Sequence, residues 1–69
     1  MPPARSLEEL EEKIRQKLQE AEQPLHVIAS ESGISKTHLT NFKNSKRNLS
    51  FQNLHILAEY FGVKYIIKN

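Results

Sequence analysis

Gly33 lies nine residues after Pro24 and eleven before Asn44, and that punctuation constrains the chain more than any other feature. Pro fixes φ and lacks an N–H, so it suits the first turn of a helix and not its interior. Gly supplies the left-handed backbone that ends a helix. The segment is therefore cut into two short helices, Pro24 to about Ser32 and Lys36 to about Asn44. They are joined by Gly33, Ile34 and Ser35, with Ser35 capping the later one. Helices joined this tightly cross steeply and touch over a small area. Ala29 is expected at that contact, buried close to Leu39, because a larger side chain would push the helices apart. Leu25 and Ile28 face inward beside it, and Ile28, Ile34, Leu39 and Phe42 lock the pair.

The flanks read as helices too. Met1 to Arg5 is a Pro-rich, disordered leader, and residues 6–69 form one domain. Ser6 opens a first helix, with Glu9 completing a capping box. Leu7, Leu10, Ile14, Leu18 and Ala21 recur every three or four residues and form one apolar stripe. Glu9 with Lys13 and Glu11 with Arg15 are spaced for pairing along a solvated face. Ser50 caps a fourth helix with Phe51, Leu54, Leu57, Ala58 and Phe61 inward, and Gly62 ends it. Val63 to Ile67 is rich in β-branched and aromatic residues and reads as a short strand. A fifth helix is the alternative.

Sixty-nine residues make a single small domain that buries only about 60% of its unfolded surface. There is no Cys, which excludes a disulfide framework and a thiolate zinc site and fits a cytoplasmic protein. No apolar run approaches the roughly 18 residues of a membrane span, and the leader runs into an acidic helix and not an apolar signal core. Charge is divided along the chain. Leu7 to Glu22 carries six Glu against Lys13, Arg15 and Lys17, whereas Ser32 to Ala58 has no acid and holds Lys36, Lys43, Lys46 and Arg47. The basic half is suited to a polyanion.

Catalytic and metal chemistry find little support. His26, His38 and His55 fall on three different helices, with no Cys or Asp to complete a metal site. The glycines are helix stops and not a phosphate loop, and the serines are caps and loop residues. Neither an enzyme nor a cofactor is expected.

Two short helices about a Gly turn form a helix-turn-helix over residues 24–44, which lets its second helix stand out from the body and enter a major groove. At Leu25 to Ser35, Lys36 to Phe42, Lys46 to Ser50 and Leu54 to Val63 the sequence resembles lambda-repressor-like (Xre-type) DNA-binding domains. The resemblance implies an all-α fold of four to five helices that binds double-stranded DNA as a small transcriptional regulator, a repressor or an antitoxin-type autoregulator. A toxin is a partner in the antitoxin case, and a protein-binding adaptor that has lost DNA binding is the alternative. By position, Lys36, Thr37, His38 and Asn41 would reach base edges, and Thr40, Lys43, Lys46 and Arg47 would lie along phosphates. The sequence departs from the family at Leu25, where a phosphate-touching Gln is usual. It departs again at Ser45 and Leu49, where Gly and Pro are usual, so a differently shaped loop is expected. Two-fold pairing is expected through the tail strand Lys64 to Lys68, with Tyr65 and Ile67 toward the helices and Lys64, Ile66 and Lys68 away.

Overall fold

In a computed structural model, which describes residues 5–66, the chain forms four helices: α1 (Leu7–Glu20), α2 (Leu25–Ser32), α3 (Lys36–Lys43) and α4 (Phe51–Phe61). Pro24 stands just outside α2 as its N-cap, and Asn44 just outside α3 as its C-cap. Three helices start at serines that accept an orphan backbone N–H. Ser6 Oγ takes Glu9 N (3.1 Å), Ser35 Oγ takes His38 N (3.5 Å) and Ser50 Oγ takes Asn53 N (3.3 Å). The return arm of the capping box is displaced by one residue: Glu9 Oε2 accepts from Arg5 N at 3.4 Å. Gly33 (φ 79°) and Gly62 (φ 72°) end α2 and α4 in the left-handed conformation.

α1 packs on α3 and α4, and α2 packs on the same two helices. The core between them is Leu10, Ile14 and Leu18 of α1, Ile28 of α2, Ile34 of the turn, Leu39 and Phe42 of α3, and Leu54, Leu57 and Ala58 of α4. No polar side chain among the described residues is buried with them. Full burial of each large apolar side chain contributes about 1.5–3 kcal/mol.

The margins of the expected stripes fall outside this core. Leu7 is 45% exposed and Phe51 46% exposed, since each lies in the first turn of its helix with no element above it. Leu25, Phe61 and Ala29 are half-buried against the core. Ala29 therefore borders the α2–α3 contact and is not enclosed by it. Arg15 pairs with Glu12 (2.9 Å) and not with Glu11, because its side chain turns toward α3.

α4 is tied to α2 through Tyr60, whose hydroxyl approaches Glu31 Oε1 (2.5 Å) and Gln23 Oε1 (2.6 Å). A phenol has one proton, so the two acceptors compete for it. The hydrogen bond to Glu31, then desolvation and the carboxylate's charge, raise the Tyr60 pKa above 10.0. Tyr60 therefore stays a donor at neutral pH.

After Gly62 the described chain forms neither a fifth helix nor a strand, with one isolated bridge-type pairing at Tyr65. Tyr65 is half-buried, meets Phe51 and His55 edge-to-face with centroids 5.9 Å away, and hydrogen-bonds to His55 Nδ1. Lys64 is exposed and Ile66 is 58% exposed, so residues 64–66 keep the expected alternation. Ile67, Lys68 and residues 1–4 of the leader lie outside the described residues.

The α3–α4 loop reveals a cost. Ser45 has φ 61°, the one non-Gly residue described with positive φ, so the backbone takes at this point the shape a Gly would take. Leu49 packs partly against the core. A non-Gly residue in this region is disfavoured by about 1–2 kcal/mol. Ser45→Gly should therefore relieve about 1–2 kcal/mol of strain against about 0.5–1 kcal/mol for the freedom Gly adds to the unfolded chain, a net gain on the order of 1 kcal/mol. Thermal unfolding followed by circular dichroism should show a midpoint higher by several degrees, on the order of 4–8 °C. An unchanged midpoint would mean that the strain at Ser45 does not exceed that entropic cost.

Candidate nucleic-acid interface

The burial of Leu39 and Phe42 sets which way α3 faces. At about 100° per residue, the side opposite them is centred on Thr37, with Thr40 and Asn41 beside it and Lys36 and His38 on its two flanks. Lys36, Thr37 and His38 are exposed, and Thr40, Asn41 and Lys43 are half-buried. Lys36, Thr37, His38 and Asn41 thus lie on or beside one outward face. Lys43 turns toward the flank nearer the body.

Lys46 and Arg47 are exposed in the loop, and their backbone N–H groups donate to the carbonyl of Asn41 at 2.8 and 3.3 Å. The backbone that carries the loop cations is thereby fixed relative to the outward residue whose carbonyl holds it. Between α3, this loop and the start of α4 runs a cleft of about 230 Å³. His38, Asn41 and Arg47 line it, and so do Asn48 and Asn53, neither of which was among the expected contact residues. Both are uncharged and stand in loop or capping positions, where a polar residue already has a local explanation. The expected phosphate residues Thr40, Lys43 and Lys46 do not line this cleft.

The far end of α3 is anchored by α1. Arg15 Nε donates to the Phe42 carbonyl (3.0 Å), and Gln19 Nε2 donates to the Lys43 carbonyl (3.4 Å). The Arg15 guanidinium lies 4.6 Å from the centre of the Phe42 ring. Spacing within α1 could not have disclosed this, because the partner is a backbone oxygen 27 residues away.

The electrostatics of the region follow from composition. No Asp or Glu occurs from Ser32 to Ala58, so no carboxylate of α3 or its loop opposes a phosphate. Among the described residues, no cluster of three or more His, Asp or Glu could hold a metal, and no helix is long and apolar enough to cross a membrane.

A family model described as helix-turn-helix matches residues 14–66, which spans the second half of α1, α2, the turn, α3 and α4. No curated protein and no solved structure matches the chain. The match covers well over half of the sequence and agrees with the packed α2–α3 pair, the left-handed Gly33 and the acid-free outward face, and on these grounds the chain belongs to the lambda-repressor-like helix-turn-helix family of DNA-binding regulators.

Proposed function

We propose that this regulator reads a specific double-stranded sequence with α3 in the major groove and acts in the cytoplasm as a repressor, by occluding the promoter it binds. The observation that carries this reading is the outward face of α3. Its polar side chains are committed neither to the core nor to any acidic neighbour. Asn41 can bond bidentately to adenine, Lys36 can donate to guanine, and Thr37 and His38 reach adjacent edges. Thr40, Lys43, Lys46 and Arg47 flank them and would hold the backbone, fixing register without reading sequence. An antitoxin that represses its own operator would use the same face, with a toxin bound elsewhere.

Operator binding by such domains uses two-fold symmetry, with half-sites about 34 Å apart. In this reading two copies pair through the tail from Lys64 to Lys68. Tyr65 holds the tail to the body, while the exposed Ile66 leaves an apolar side chain for a second copy.

Selection of bound duplexes from a random pool tests the reading directly. Recovery of a consensus with two related half-sites supports it. Binding of no duplex, at any salt concentration, would favour a protein-binding adaptor. Replacing both Lys46 and Arg47 with Ala should weaken binding to all duplexes alike and make the slope of log affinity against log salt shallower by about 2. Loss confined to the selected duplex would instead assign these residues to bases. Asn41→Ala should cost about 1–3 kcal/mol and relax preference at one base pair. An equal loss on every sequence would place Asn41 on the backbone.

Removal of residues 66–69 spares the contacts of Tyr65 and should give a monomer by sedimentation equilibrium, with much weaker operator binding. A truncated chain that still sediments as a dimer would place the interface elsewhere.

A further inference from the structure

A recognition helix delivers its side chains only as accurately as its axis is held, and α3, with 8 residues, is too short to hold itself. The carbonyls of its last turn show what does. Thr40 O accepts the Asn44 N–H (3.1 Å), and Asn41 O accepts those of Lys46 and Arg47 (2.8 and 3.3 Å). Phe42 O accepts the Ser45 N–H (3.1 Å) and Arg15 Nε (3.0 Å), and Lys43 O accepts Gln19 Nε2 (3.4 Å). Every one of these four carbonyls has a partner. Both bonds that arrive from beyond α3 and its loop come from α1.

Arg15 combines several properties at this point. Its charge lies at the negative end of the α3 dipole. Its flat guanidinium lies over the Phe42 ring, and Glu12 Oε1 holds Nη1 at 2.9 Å. The side chain is 14% exposed, so it is turned into the fold and away from any phosphate. Lys could supply the charge, but not the planar stack together with two divergent N–H bonds.

We infer that Arg15, with Gln19 beside it, is a positioning residue for DNA reading. It locks the last turn of α3 to α1 and so fixes the angle at which Thr37 and Asn41 meet the base edges. This rests on α3 being the helix that reads sequence. Removing Arg15 then costs discrimination between sequences and spares the general attraction to the polyanion.

The test compares Arg15→Met, which keeps an apolar stem, and Arg15→Lys, which keeps the charge. Each is measured below its own unfolding midpoint against the duplex recovered by selection and a scrambled duplex of equal length. Arg15→Met should lose about tenfold on the selected duplex, the scale of one base contact. It should lose less than about twofold on the scrambled one, with the salt slope unchanged. Arg15→Lys should fall between Arg15→Met and wild type. Without DNA, the amides of Asn44 and Ser45 should exchange hydrogen faster in Arg15→Met, while those of α4 keep their rates. Equal losses on both duplexes with a slope shallower by about 1 would make Arg15 a phosphate contact and overturn the inference. Unchanged discrimination in both variants would overturn it as well. If Arg15→Met does not fold, Arg15→Lys decides by the same criteria. A wild-type protein that does not distinguish the two duplexes would instead refute sequence-specific reading, and the exchange rates would then decide whether Arg15 anchors α3.

Discussion

The packing of Phe42 is the contact on which the arrangement turns. α3 is two turns long and carries just two buried side chains, Leu39 and Phe42. Helix propensity cannot hold so short a segment in water. Phe42 is fully buried in the core, its ring supports the Arg15 guanidinium, and its carbonyl accepts from Arg15 and Ser45. One residue thus joins the core to α1, to the end of α3 and to the loop that carries Lys46 and Arg47. The outward face of α3 is a consequence, since burying Leu39 and Phe42 leaves Thr37, Thr40 and Asn41 on the opposite side.

What could be read in the sequence was what local chemistry decides. Ser6, Ser35 and Ser50 cap because a hydroxyl two or three residues before an orphan N–H has no competing geometry. Gly33 and Gly62 stop helices because the left-handed backbone costs them little. The apolar periodicities found the middle of every stripe and overran its ends. Leu7 and Phe51 have the right spacing, but first-turn positions are covered only if another element lies above them.

The contacts that escaped are those in which a long polar side chain crosses between helices. Arg15 to Phe42, Gln19 to Lys43 and Tyr60 to Glu31 span 27, 24 and 29 residues. Arg15 and Gln19 had a sufficient local explanation on the solvated face of the first helix. Two of the three acceptors or donors left in doubt are backbone groups, which every residue type provides equally. The candidate site was legible at the level of the helix, because outward direction follows from two buried residues. The loop cleft with Asn48 and Asn53 was not, since it forms where the start of α4 meets the loop.

This division of labour bears on how such a domain changes its specificity. Thr37 and His38 are exposed and lie outside the core, and the helix is held by Ser35 at one end and by Leu39, Phe42, Arg15 and Gln19 at the other. In the proposed reading, substituting Thr37 or His38 would therefore alter what is read with little effect on folding, within the roughly ±0.5 kcal/mol usual for surface positions. A domain of 69 residues has a small stability margin, so separating the two functions matters more here than in a larger protein. Arg15 is the exception in that reading, because it is embedded in the body and yet bonds to the last turn of α3. Variation there would couple stability to recognition, whereas variation at Thr37 or His38 would leave them independent.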